Sequence, residues 1–291
     1  MLPIPASELI INPRGAIYHL DVAPGELADT IITVGDPNRV ETVSKHFDTI
    51  EVKRAHREFI THTGTIGNKR LSVVSTGIGT DNIDIVLHEL DALVNIDFKT
   101  RLINKQLKSL KIIRLGTSGG LQADVNVDEF VVSTHAIGID NLLNFYRHKH
   151  NAEEQELLQH FNTHTNMHAG ITTPYIFSAN IGLMQHFTAG YKHGITVTCP
   201  GFYGPQGRVL RLGLSNPNFV DKLTDFSFGR HRITNFEMET SGIYGLGNIM
   251  GHSCLSISAI VANRVSKTFS ADGNVAVEKL ITQSLAIIEK I

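Results

Sequence analysis

Apolar residues fall in short β-branched runs separated by stretches with helical spacing. "TIITV" (30–34), "RLSVVS" (70–75), "KIIRL" (111–115), "EFVVST" (129–134), "GITVTC" (194–199) and "CLSISAIVANR" (254–264) have the length and residue types of buried strands. Between them, "NIDIVLHELDALVNI" (82–96) and "NVAVEKLITQSLAIIEKI" (274–291) carry apolar residues at helical intervals. Such alternation predicts an α/β chain with a mostly parallel sheet. No repeat and no Pro- or Ser-rich linker divides it, so residues 1–291 are expected to form a single domain. Residues 97–110, "DFKTRLINKQLKSL", are polar and basic and are expected to form a surface helix or excursion.

Three predicted strands end in small residues. Gly35 follows the first, Gly77 and Gly79 the second, and Gly116, Thr117, Ser118 and Gly119 the third. Ligands of open α/β sheets collect at such strand ends, and backbone N–H groups there can cradle an oxyanion. Arg39 lies one turn past Gly35, Arg114 sits beside the third set, and Arg57 lies near an apolar segment. A guanidinium stays charged and grips phosphate with two parallel hydrogen bonds. Each glycine turn alone is also explained as plain chain reversal. Neither G-x-G-x-x-G nor G-x-x-x-x-G-K-[ST] is completed, which argues against a dinucleotide site or P-loop and for a small free anion.

"NFEMETSGIYGLGNIM" (235–250) predicts a helix capped by Asn235 with Glu237 and Glu239 in its first turns. The helix dipole favours acids there, which is one explanation of the pair. The other is a carboxylate that accepts hydrogen bonds from sugar hydroxyls, with Met238 as an apolar face. Composition narrows the alternatives. With 26 basic and 28 acidic residues the net charge is −2, so no basic field exists to hold nucleic acid or an anionic membrane. The two cysteines, Cys199 and Cys254, read as buried thiols of a cytoplasmic protein. The 15 histidines draw attention to His160, His164 and His168, spaced four apart, and to "RHKH" (147–150). Weak helix formers and Gly170 argue against one helix through the three, and both groups are read as surface histidines with no metal.

Taken in order, "VGDPNRV", "HREF", "STGIG", "IIRLGTSGG", "FYGPQGR", "NFEMET" and "VANR" resemble the nucleoside phosphorylase family, in particular its uridine-cleaving branch, from about Tyr18 to the C-terminus. The resemblance implies a three-layer α/β/α fold around a mixed, partly barrel-like sheet. It implies that uridine and phosphate give uracil and ribose 1-phosphate, with inorganic phosphate as co-substrate and no cofactor. By position in these motifs, Gly35, Arg39, Arg114 and Thr117 would bind phosphate, and Arg57 would reach it across a subunit interface. Met238 and Glu239 would hold the ribose, with His19 touching the 5′-hydroxyl from a neighbouring subunit. Phe202, Gln206 and Arg208 would hold uracil. The catalytic set is then Arg208, Gln206, Arg114 and Glu239, in a homo-oligomer, dimer or hexamer, with shared sites. Purine-cleaving relatives usually carry an aspartate after the late strand, where "AIVANRVSK" (259–267) offers none. Alternatives are a purine nucleoside phosphorylase or nucleosidase of the same fold, and a nucleoside-binding protein without turnover.

Overall fold

A computed structural model describes residues 2–167 and 172–291. The chain begins its regular structure with β1 (Thr30–Val34), α1 (Pro37–Ser44), and the meander β2 (Thr49–His56), β3 (Phe59–Ile66) and β4 (Lys69–Ser75). Helix α2 (Thr80–Asn95) leads to a small hairpin of β5 (Ile96–Asp97) and β6 (Leu102–Ile103). Strands β7 (Lys111–Gly120) and β8 (Phe130–Gly138) follow, then α3 (Ala152–Thr165), β9 (Tyr175–Ser178), α4 (Ile181–Met184) and β10 (Tyr191–Thr198). The last third holds α5 (Phe219–Asp225), β11 (Ser227–Phe228), β12 (His231–Glu237), α6 (Thr240–Met250), β13 (Ser253–Asn263), β14 (Thr268–Phe269) and α7 (Gly273–Ile288).

The main sheet runs β11-β12-β10-β8-β13-β7-β1-β4-β3-β2. It is mixed rather than mostly parallel. β1 pairs in parallel with β4 and β7, whereas β2, β3 and β4 form an antiparallel meander and β13 runs antiparallel to β8. β12 also pairs with the far end of β7, through Asn235 opposite Gly120 and Phe236 opposite Gly119. That contact closes β12, β10, β8, β13 and β7 into a ring, the expected barrel-like part of the sheet. Every residue of β1 is buried, because helices pack on a strand that already lies inside the sheet.

Several local expectations are corrected. The third strand does not turn at Gly116 but continues to Gly120. At Gly116 a Cβ would stand 2.0 Å from Arg114 Nη1, so the missing side chain is the space into which the Arg114 guanidinium folds. Asn235 is no helix cap. It is a buried residue of β12 that donates to Ser118 Oγ at 2.9 Å and accepts from Thr196 Oγ1 at 2.9 Å. Residues 97–110 form no helix, and their hairpin lets Arg101 donate to the carbonyls of Ile4 and Pro5 at 2.7 and 3.1 Å, tying down the N-terminal segment. His160 and His164 share the exposed face of α3, where His160 stacks on Phe228 and His164 donates to the Lys222 carbonyl. His168 lies outside the described residues. His148 and His150 are half-buried against Phe177, so "RHKH" is not a solvated loop. Both cysteines are buried and free.

Candidate active site

The ends of β1, β4, β7, β12 and β13 converge on one cavity of about 660 Å³. Its lining includes Gly35, Arg39, Arg114, Thr117, Phe202, Gln206, Arg208, Met238 and Glu239. Of the residues to which the resemblance gives a binding or catalytic role, Arg57 and His19 alone are not in that lining.

At one end, β1 stops at Val34 and Asp36 caps α1 by accepting the Asn38 N–H at 2.9 Å, with Pro37 opening the helix. This short turn carries Arg39 into the cavity, where one guanidinium N–H meets the Leu115 carbonyl at 3.4 Å. Burial, and then the neighbouring Arg114, pull the Arg39 pKa below its ordinary value. Two guanidiniums held together in this way favour an anion between them.

Arg114 sits in the middle of β7 and is 4% exposed. Its Nη2 lies 2.6 Å from Glu239 Oε2 and 3.2 Å from Glu237 Oε2, and Nη1 donates to Ser258 Oγ at 3.2 Å. Burial alone would lower the Arg114 pKa; the two carboxylates outweigh it and hold the guanidinium above its ordinary value. Glu237 ends β12 and accepts from the Glu239 N–H at 2.9 Å, the Thr240 N–H at 2.9 Å and the Thr198 hydroxyl at 2.7 Å. Glu239 occupies the N-cap position of α6, and its Oε1 accepts the Gly79 N–H at 2.8 Å. Burial pushes the Glu239 pKa up and the Glu237 charge adds to this, against the pull of Arg114. Glu237 therefore belongs to the site as the support of Glu239, not to a first helical turn. The alternation Asn235, Glu237, Glu239 against Phe236 and Met238 has period two, the strand signal that could have revealed it.

The opposite end is lined by the segment after β10. Phe202 is 50% exposed, and the Arg208 guanidinium lies 3.7 Å from the centre of its ring. Arg208 Nη1 donates to Gln206 Oε1 at 2.6 Å and to the Phe202 carbonyl at 2.7 Å. Burial and then Arg264 lower the Arg208 pKa from its ordinary value. Val261 and Ala262 complete this wall. Asn263 is turned away, with its Nδ2 donating to the carbonyls of Gln122 and Val125 at 2.8 and 2.7 Å.

Arg57 is exposed at the turn between β2 and β3 with φ 55°. His19 is held by α2: its backbone N–H and Nδ1 both bond to Glu89, the ring nitrogen at 2.7 Å. Among the described residues no group of three or more His, Cys, Asp and Glu side chains could hold a metal ion.

This arrangement can bind an oxyanion at the arginine end, a polyhydroxylated ring over Met238 and Glu239, and a flat polar ring between Phe202 and the amide of Gln206. Residues 29–289 match the model of the phosphorylase superfamily, and the chain belongs to that family. A uridine phosphorylase of Thermococcus kodakarensis is 28% identical over 94% of this chain and 87% of its own length. A DeoD-type purine nucleoside phosphorylase of Listeria welshimeri is 24% identical over 83% of this chain and 85% of its own. Among solved structures, a Trypanosoma brucei nucleoside phosphorylase, described as showing uridine phosphorylase activity, superposes with a TM-score of 0.87 at 32% identity, covering 97% of this chain and 98% of that one.

Proposed function

We infer that the chain is a uridine phosphorylase, a pentosyltransferase that reversibly converts uridine and phosphate to uracil and ribose 1-phosphate. The observation that carries this is the meeting of three sets of groups in one cavity. Arg39, Arg114 and Thr117, then Met238 and Glu239, and Gln206 and Arg208 beside Val261 and Ala262 all line it together. Residues 261–263, the stretch where purine-cleaving relatives usually carry an aspartate, are Val, Ala and Asn, and Asn263 is bonded away from the cavity.

In this reading Gly35, Arg39, Arg114 and Thr117 hold phosphate beneath the sugar. Glu239 accepts from ribose hydroxyls while Met238 packs on the ring. As the C1′–N1 bond breaks, positive charge grows on the ribose and negative charge on the base. A phosphate oxygen then forms the new bond at C1′, and the bond pair leaves with uracil, which takes up a proton from water. Arg208 faces the charge growing on the uracil carbonyl, and Gln206 offers a donor and an acceptor to the adjacent N3–H and carbonyl edge. Alignment of two bound substrates supplies the proximity contribution. The reaction needs no cofactor.

His19 and Arg57, outside the cavity of their own chain, would complete a neighbour's site, which makes the working unit a homo-oligomer of at least two chains. Among the described residues no helix is long and apolar enough to cross a membrane, and a cytoplasmic location is part of the same proposal. The test is uracil release from uridine with and without phosphate, beside inosine. Phosphate-dependent release from uridine, with little turnover of inosine, is the expected result. Release without phosphate would make the protein a nucleosidase, and turnover of inosine alone would overturn the assignment of the base wall.

A further inference from the structure

Gln206 ends a single 3₁₀ turn, Gly204–Gln206, and Arg208 follows its Gly207 cap, within an irregular segment whose Leu210 and Leu212 are exposed. Its internal bonds are few: the Gln206 and Arg208 N–H groups donate to the Tyr203 carbonyl at 3.1 and 2.8 Å, and Gly207 N–H donates to the Gly204 carbonyl at 2.9 Å. Gly207 has φ +67°, and a Cβ there would stand 2.4 Å from Val220 Cγ2.

A separate element reaches the turn from the sheet. Arg264, the first residue after β13, donates from Nη1 to the Gln206 carbonyl at 3.1 Å and from Nη2 to the Gly207 carbonyl at 3.2 Å. Its own N–H bonds to the Gly120 carbonyl at 2.9 Å, at the end of the strand that bears Arg114 and Thr117. Asn263 fixes the following corner by accepting the Val265 and Ser266 N–H groups at 2.8 and 2.9 Å. The root of Arg264 is thus part of the sheet, and its fork spans two consecutive carbonyls of the turn.

We propose that Arg264 is the positioning residue of the base wall: by clamping the Gln206 and Gly207 carbonyls, it fixes the two side chains that read uracil relative to the strand that holds phosphate. The side-chain type fits the task. A planar fork can hold two carbonyls at once, whereas a lysine ammonium is a single point on a flexible stem. The position also fits, because the clamp touches backbone atoms of the turn and leaves the side chains of Gln206 and Arg208, bonded to each other, in the cavity lining.

The proposal rests on the assignment of Gln206 and Arg208 to the base, and two readouts separate the two ideas. In Arg264→Ala the KM for uridine should rise about tenfold, with the KM for phosphate within about twofold of the parent. Amide hydrogen exchange of residues 203–208 should accelerate while β7 and β13 stay protected. Arg264→Lys should restore less than half of the uridine effect, and its milder change keeps the test available should the alanine variant fail to fold. Unchanged exchange at 203–208 in both variants would overturn the clamp, as would full rescue by lysine, which would assign the role to charge. A parent protein without uridine turnover would instead overturn the function proposed above, and the exchange data would still decide the clamp.

Discussion

At the arginine end of the cavity, Arg114, Glu237 and Glu239 are 4%, 4% and 6% exposed and grow from within β7, the end of β12 and the start of α6. At the base end, Phe202 is half exposed, and Arg208 is held by a ring, an amide and one carbonyl of its own segment. The first region is an ion cluster inside the sheet, with each acidic oxygen bonded to a backbone N–H, a hydroxyl or the guanidinium. The second is an irregular turn that buries Gln206 to 3% exposure yet is fastened at a few points. The contrast divides the work: the steps common to any nucleoside, binding phosphate and ribose, are assigned to groups bonded into the sheet and the start of α6. The choice of base is assigned to a segment that can vary without disturbing the sheet.

Arg114→Ala should be the most damaging single change, because it strikes both stability and chemistry. It would leave Glu237 and Glu239 buried without their cation, which costs about 3–5 kcal/mol. It would also remove a phosphate partner, with a loss of about 10²–10³-fold in kcat/KM for phosphate. Denaturant titration and steady-state rates read the two effects separately. An Arg114→Ala protein of normal stability would show that the buried cluster is not what holds this end together.

Arg208→Ala should separate the two regions. Uridine kcat/KM is expected to fall about 10²-fold, through loss of charge stabilisation on the departing base. Thermal stability should stay within about 0.5 kcal/mol of the parent, since the turn contributes little to the core. Phosphate KM, measured at saturating uridine, should stay within about twofold. Equal losses for both substrates would erase the division of work.

The same contrast explains what could be read from the chain. β1 coincides with the run "TIITV", because a buried strand followed by a glycine turn and a Pro-initiated helix announces its end. The continuation of β7 through "GTSGG" was not legible, because local propensity favours a turn there. What decides it is the guanidinium of Arg114 folding over Gly116, together with pairing of Gly119 and Gly120 to β12, both tertiary facts. Asn235 was misread for a related reason. Asn followed by acids is a helix-start signature, yet partners on β7 and β10 satisfy its amide within a strand. The residues lining the cavity were found through their motifs. The parts played by Glu237 and Arg264 were not, although both lie in quoted motifs, because much of what each does is to bond backbone groups of other residues.

The smallest expected effect concerns titration, and it too should be confined to the buried end. Burial, with the Glu237 charge, raises the Glu239 pKa above the unfolded value near 4.3, against the pull of Arg114. A carboxyl group whose folded pKa is raised binds its proton more tightly in the native state. Its contribution to stability is therefore complete below about pH 4.3 and is lost as pH rises through the folded value. Turnover should move the other way. The ionised form pairs with Arg114 and accepts from ribose hydroxyls, so uridine kcat/KM should climb through that same window, with its acid limb above the ordinary carboxylate range. Glu239→Gln should flatten both slopes, and Arg208→Ala should leave both in place while lowering the rate throughout. Melting curves and initial rates across the acid range test the pair of trends. An acid limb that moved with Arg208 instead of Glu239 would mean that the titrating group lies at the base end, and that the rigid region is not the one tuned for charge.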